Sequence, residues 1–209
     1  MAMPECDELS NRARRIGAVN TVTFAKDGRM LGDNTDGFGF IENLCQEAPN
    51  IDFASGPAVV LGAGGASRAV LIALLDEGSP EIRIANRTRK RAEDLATEIN
   101  DPRINVVNWP LDPASLADAA LVVNTTSLGM VGQPKLEIDL EGLPQTALVT
   151  DIVYAPLITD LLAQAKKRGN QVVDGLGMLL HQARPGFHRW FGIDPEVTPE
   201  LREFVLLPD

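Results

Sequence analysis

Short apolar runs alternate along the 209-residue chain with stretches in which apolar residues return every three or four positions. The first pattern suits a strand buried on both faces, the second a helix with one apolar stripe. AVVL at 58–61 predicts a strand, and 65–75 an apolar helix directly behind it. EIRIA at 81–85 predicts the next strand, followed by a helix over 88–99 with Ala92, Leu95, Ala96 and Ile99 on one face. NVVN at 105–108 predicts a third strand, and 112–117 a short helix with Asp112 as its N-cap. LVVN at 121–124 and ALVTDI at 147–152 predict the fourth and fifth strands. A helix over 157–167 should stop at Gly169, a residue suited to the left-handed turn past a helix end. Residues 171–173 predict a short sixth strand, and 177–191 a long final helix that Pro185 must kink or divide.

Strands alternating with helices predict an α/β fold, a doubly wound parallel sheet over about residues 56–174. The first 40 residues differ. They predict a short helix, then strand-like runs at 20–24 and 29–32 around a turn at Lys26, Asp27 and Gly28. A helix over 37–48 leads from there into the linker PNIDFASGP. Two Asn-Thr pairs flank the turn, Asn20-Thr21 and Asn34-Thr35, and Asp36 follows the second.

Composition narrows the classes. Hydrophobic residues make up 44% and charged residues 23%, the balance of a folded globular chain. A formal net charge of -10 argues against a general role in binding nucleic acid, while leaving room for a local basic pocket. No run is long enough to span a bilayer. The two cysteines, Cys6 and Cys45, follow no secretory signal, so thiols in a reducing compartment and a cytoplasmic location are expected. Cys45 falls in an apolar helical pattern and is expected in the core. No metal is expected: His181 and His188 are seven apart, and no Cys/His spacing resembles a metal site.

The candidate chemistry starts where the first strand of the parallel sheet ends. GAGGAS at 62–67 joins that strand directly to a helix, the context of a dinucleotide site. Gly62 permits the tight turn, Gly64 lets a pyrophosphate approach the backbone, and the helix N-terminus at Gly65 offers free N–H groups and a positive dipole end. Ser67 stands where a third glycine or alanine is usual. After the second strand, where an NAD site would place an acid, this chain has Asn86-Arg87-Thr88, then Arg89, Lys90 and Arg91. Arg87 and Arg91 can clamp a 2′-phosphate, which favours NADP over NAD. The alternatives are a glycine turn without a ligand and a solvated first turn of helix, although cations there oppose the helix dipole. Ligands of such sheets bind at the carboxyl ends of strands, where Asn124 and Thr125, Asp151 and Ile152, and Asp174 and Gly175 all lie.

GAVNT at 17–21, GDNTDGFGF at 32–40, GAGGASRA at 62–69, NRTRKRA at 86–92 and NTTSLGM at 124–130 resemble, in order, motifs of the shikimate/quinate dehydrogenase family. So do DIVYAPLITDLLAQA at 151–165 and DGLGMLLHQARPGFHRWFG at 174–192. The resemblance implies reduction of 3-dehydroshikimate to shikimate with NADPH, in chorismate and aromatic amino-acid biosynthesis. It implies a Rossmann cofactor domain over 49–175, a remnant of a substrate domain over 1–48, and C-terminal helices over 176–209 packing back on it. Asn20 and Asp36 would hydrogen-bond the substrate hydroxyls, Tyr154 would border the substrate and Gln182 would reach it from the last helix. Gly62, Ala63, Gly64, Gly65, Ala66 and Ser67 would hold the pyrophosphate. Asn86, Arg87, Thr88 and Arg91 would take the ribose and its 2′-phosphate. Thr125 and Ser127 would border the cofactor, and Ile152, Gly175 and Met178 would lie by the nicotinamide. Other roles stay open: turn formation for Asn124 and Thr125, loop packing for Tyr154, core packing for Met178, a surface position for Gln182.

The family pattern also includes an SxS motif and a VTxPxK motif whose lysine pairs with the aspartate matched by Asp36. Neither occurs in these 209 residues, so a shortened substrate domain is expected. A carboxylate such as Asp36 has no proton to give, and carbonyl reduction needs a proton donor as well as a hydride donor. Lys26 and Lys135 read as solvated, and His181 and His188 as packing or surface residues. Three readings follow: a dehydrogenase, a fragment that binds NADP without turnover, and a non-catalytic nucleotide-binding protein. Apolar surface exposed on the remnant would favour a homodimer.

Overall fold

In the computed structural model, which describes residues 3–207, the chain begins with a small sheet of three strands. β1 (Glu8–Leu9), β2 (Thr21–Phe24) and β3 (Met30–Asp33) lie in the order β1-β3-β2. β1 runs parallel to β3, and β2 antiparallel to it, with Thr21 opposite Asp33 and Phe24 opposite Met30. Helix α1 (Asn11–Ile16) connects β1 to β2 and is capped by Ser10, whose hydroxyl accepts from the Ala13 N–H at 3.0 Å.

Helix α2 (Asp36–Glu47) leads out of this sheet to the larger one. The larger sheet holds β4 (Ala58–Leu61), β5 (Ile82–Ala85), β6 (Ile104–Val106), β7 (Leu121–Asn124), β8 (Leu148–Asp151) and β9 (Gln171–Val173). All its pairings are parallel, in the order β6-β5-β4-β7-β8-β9. The order reverses at β4, which puts a topological switch point at the end of that strand. Side chains alternate across the sheet. Val60, Ile82, Ile84 and Val123 face a core built with α2, α3 (Gly65–Asp76), α4 (Arg89–Ile99) and α6 (Leu176–Phe191). Val59, Leu61, Val122 and Val149 face a second core with α5 (Asp160–Arg168) and the 136–147 segment. A final helix, α7 (Pro199–Leu206), follows α6.

Glycine decides how closely α2 and α6 approach. A Cβ on Gly39 would lie 2.7 Å from the Met178 carbonyl and from the Gln182 backbone nitrogen. Gly39 lowers the intrinsic stability of α2, and the close crossing is what the missing side chain allows. Further along α6, Gly186 packs against Thr21. The last long helix therefore runs from the carboxyl edge of the large sheet to the small one.

Several expectations need correction. The third strand ends at Val106, because its ladder with β5 stops where Val107 N–H donates to the Ile84 carbonyl. The helix expected over 112–117 is one 3₁₀ turn (Pro113–Ser115), although Asp112 caps it as expected, accepting from Ser115 N–H at 2.8 Å. The helix expected from 157 begins at Asp160, because Thr159 caps it and is tied to Asp151. It does end at Gly169, in the left-handed conformation at φ 95°. Pro185 does not divide α6, which is continuous from Leu176 to Phe191. Cys45 is exposed, contrary to expectation. The buried positions of α2 are Gly37, Gly39, Phe40, Asn43 and Leu44, and Cys45 lies one step of about 100° past Leu44. Helix α7 lies within the C-terminal helices expected over 176–209, and Thr198 followed by Pro199 is its start signal.

Candidate functional site

The two Asn-Thr pairs meet. Antiparallel pairing of β2 with β3 brings Asn20, just before β2, beside Thr35 and Asp36 at the start of α2. The Asn20 side-chain oxygen Oδ1 accepts from the Thr21 hydroxyl at 2.9 Å, the Thr35 N–H at 3.0 Å and the Thr35 hydroxyl at 3.2 Å. Its amide nitrogen donates to the Asp36 carboxylate at 2.7 Å. The Asn34 side chain accepts from the Asp36 N–H at 3.0 Å. Asn34 and Thr35 are buried, whereas Asn20 is exposed and Asp36 half-buried. The buried pair is framework, and Asn20 and Asp36 form the accessible rim.

Beneath the rim lies Asp33, to which the sequence reading gave no role. Its carboxylate is fully buried and takes the Arg189 guanidinium of α6 at 2.5 Å, with Arg12 of α1 at 3.7 Å. It also accepts from the Ser10 hydroxyl and, at 2.8 Å, from the Asn34 N–H. One acid thus ties α1, β3, α6 and the rim loop together. The sequence signal was an acid ending a strand that needs a buried partner, but the partner, Arg189, is 156 residues away.

The glycine turn is built as its sequence suggests. Gly62 has φ 115°, and a Cβ there would stand 2.7 Å from the Thr125 hydroxyl. At Gly64 and Gly65 an added Cβ would meet nothing within 4 Å, so the backbone lies open on that side. Ser67 and Thr125 lie under the turn, both buried. Thr125 donates to the Leu61 carbonyl at 2.7 Å, which uses its only proton. In the 2.6 Å contact between the two hydroxyls, Ser67 is therefore the donor. The Ser67 oxygen in turn accepts from the Gly64 N–H at 3.0 Å. The result is a directed chain from Gly64 through Ser67 and Thr125 to Leu61. The two hydroxyls brace the turn, and the first-turn N–H groups of α3, at Gly65 and Ala66, have no acceptor within the helix. Ala63 and Ala66 flank the turn, half-buried.

The basic cluster after β5 divides in two. Arg89 bonds Glu93 at 2.9 Å and Asn108 at 2.8 Å, and Lys90 pairs with Asp94. Arg87 and Arg91 are exposed, and among the described residues their side chains have no ion pair or hydrogen bond. Asn86 folds back to the Thr88 carbonyl at 2.8 Å and shapes this loop.

At the far side, Asn124 and Asp151 close the ends of β7 and β8. The Asn124 amide donates to Asp151 at 2.9 Å, and Thr159 donates to the other Asp151 oxygen at 2.8 Å. Burial pushes the Asp151 carboxyl above its usual range, against the pull of the Val153 N–H, Thr159 and Asn124. Ile152 donates its N–H to the Asn124 carbonyl at 3.1 Å, and Gly175 is pressed against the Ile152 carbonyl, where a Cβ would be 2.4 Å away. Ser127 and Tyr154 are exposed, and Met178 is buried in the core. Gln182 is half-buried where α6 crosses α2. His181 bonds Gln46 at 2.8 Å and Arg184 at 3.1 Å. A guanidinium only donates, so Nδ1 is an acceptor and the ring is neutral; burial first, then Arg184, lowers its pKa.

A family model described as shikimate / quinate 5-dehydrogenase matches residues 44–160, and one described as the shikimate 5′-dehydrogenase C-terminal domain matches 175–199. The chain belongs to the shikimate/quinate dehydrogenase family. It is 58% identical over 205 residues to a shikimate dehydrogenase (NADP(+)) of Dinoroseobacter shibae, covering 98% of this chain and 73% of the relative. Among solved structures, quinate dehydrogenase from Corynebacterium glutamicum in complex with NAD aligns with a TM-score of 0.89 at 34% identity, over 99% of this chain and 74% of that one. Shikimate 5-dehydrogenase from Thermus thermophilus in complex with NADP(H) and shikimate aligns with a TM-score of 0.82 at 39% identity, over 97% and 72%. Of these two structures, one holds NAD and the other NADP(H).

Proposed function

We propose that the chain is an NADP-dependent shikimate dehydrogenase that interconverts 3-dehydroshikimate and shikimate, a step toward chorismate and the aromatic amino acids. The observation that carries this reading is the Asn20–Asp36 pair. An amide and a carboxylate, bonded to each other at 2.7 Å on an accessible rim, are suited to the neighbouring hydroxyls of a polyhydroxylated ring. The relative from Dinoroseobacter shibae, named as NADP(+)-dependent, supports the cofactor assignment.

The residues fit that cofactor. Gly64 and Gly65 leave open space where a side chain would stand, the α3 N-terminus suits a pyrophosphate, and Arg87 and Arg91 have no ion-pair partner among the described residues. Bound NADPH would supply the hydride. Ser67 and Thr125 hold the glycine turn in shape, and Asn86 and Thr88 position the two arginines. Asn20 orients the substrate, Asp36 accepts a hydrogen bond from a ring hydroxyl, and Gln182 and Tyr154 border the ring. Ser127 borders the cofactor, and Ile152, Gly175 and Met178 lie on the nicotinamide side.

One observation favours a second reading, NADP binding without turnover. Among the described residues the only side-chain partner of the Asp36 carboxylate is the Asn20 amide, and no ammonium stands by it to deliver a proton. The test mixes the purified chain with NADP and shikimate and follows NADPH absorbance, with NADP binding measured in parallel. Turnover lost on Asp36→Asn supports the dehydrogenase; binding without turnover supports the second reading. No NADP binding refutes both. Sedimentation of the same sample tests a homodimer, which exposed Phe187, Trp190 and Phe191 on α6 would favour.

A further inference from the structure

The groove between the first turn of α3 and the flank of α4 carries a competition between charges. It has a volume of about 330 Å³, and its lining includes Gly64, Gly65, Arg68, Arg91, Asp94 and Glu98. Arg91, Asp94 and Glu98 are spaced three and then four residues apart, so they descend one face of α4. Arg68 follows Ser67 on α3 and donates to the Glu98 carboxylate. Its side chain is 24% exposed, while that of Glu98 is 56% exposed.

The two arginines of the groove are in opposite states. Arg91 has no carboxylate partner. Arg68 is held by Glu98, about 10 Å further down α4 by helical rise. An ion pair this open to water is weak. A phosphomonoester dianion carries more charge than a carboxylate and matches the guanidinium fork with two parallel bonds.

We propose that Arg68 is a third guanidinium for the 2′-phosphate of the cofactor and that Glu98 is its resident competitor. Arg68 leaves Glu98 for the phosphomonoester when the cofactor binds and returns when it departs. Glu98 thereby keeps the empty groove close to neutral and sets how tightly the phosphorylated cofactor is held. The proposal rests on reading the glycine turn as an NADP site.

The test measures dissociation constants for NADP and for NAD by titration calorimetry at low salt. It uses the whole chain and the variants Arg68→Gln, Arg68→Lys, Glu98→Gln and the double Arg68→Gln/Glu98→Gln. Glu98→Gln should tighten NADP about fivefold and change NAD by less than about twofold. Arg68→Gln should weaken NADP about tenfold, and Arg68→Lys, which keeps the charge but loses the fork, should fall between. In the double variant, loss of Glu98 should give no further gain, because the group it competes for is gone. An equal gain from Glu98→Gln with and without Arg68 would mean plain long-range charge and would overturn the proposal. So would equal losses of NADP and NAD in Arg68→Gln, which would assign Arg68 to the pyrophosphate. Absence of NADP binding by the unaltered chain would instead refute the nucleotide site itself. Thermal melting of each variant separates loss of binding from loss of fold.

Discussion

In the six-stranded sheet every residue of β4, β7 and β8 is buried, whereas β2 of the three-stranded sheet ends in Phe24, 69% exposed. The large sheet has apolar cores on both faces. The small one has only a small apolar cluster at α1 (Ile16 with Ala69 and Ile72) and adds polar ties: Asp33 to Ser10 and Arg189, and the Trp190 indole N–H to the Val22 carbonyl at 3.1 Å. Apolar burial is non-directional and tolerates small displacements, while a buried carboxylate works only when its donors are in place. The small sheet, beside the Asn20–Asp36 rim, should therefore open more easily than the six-stranded sheet, and it should do so as a unit.

Four experiments test this difference between the sheets. The largest effect is expected from Ile84→Ala at the fully buried centre of β5, about 4 kcal/mol lost in denaturant unfolding, across the whole molecule. Next is Asp33→Ala, which leaves the buried Asn34 N–H and the Ser10 hydroxyl without their acceptor and Arg189 to solvent, and should cost about 2 kcal/mol. Here hydrogen exchange should accelerate in β2 and β3 while β4 keeps its protection. Equal acceleration in both sheets would show that they are one cooperative unit. Thr125→Val breaks the hydroxyl chain under the glycine turn and should cost about 1 kcal/mol. Its stronger signature should be weakened NADP binding with the α3 N–H groups displaced.

The smallest effect is a pH dependence from His181. Its folded pKa lies below the ordinary histidine value of 6.5, so the unfolded chain binds the proton more readily. The stabilisation is complete above about pH 6.5 and declines as pH falls from there through the folded pKa. Melting temperature should sink gently below neutrality, and His181→Asn should flatten that slope. An unchanged slope would mean that other groups set it.

The order of strands and helices, the glycine turn at 62–67 and the basic cluster after β5 were legible in the sequence. Each is written in consecutive residues, because periodicity, a turn and a cap are local interactions. The pairing of Asn20 with Asp36 was accessible too, since one short turn joins the two strands that bring them together. Other facts depended on partners far along the chain. Ser67 and Thr125, 58 residues apart, turned out to brace the turn, and Asp33 found Arg189 across 156. Cys45 looked like a core residue because its neighbours are apolar, yet the two helices that bury α2 leave that angle to solvent. Which of four adjacent cations are held by acids and which are available was also invisible in NRTRKRA. The local pattern determined the elements and the turn. Which polar groups are already satisfied is settled by folding, because a hydrogen bond or ion pair needs both of its ends in one place.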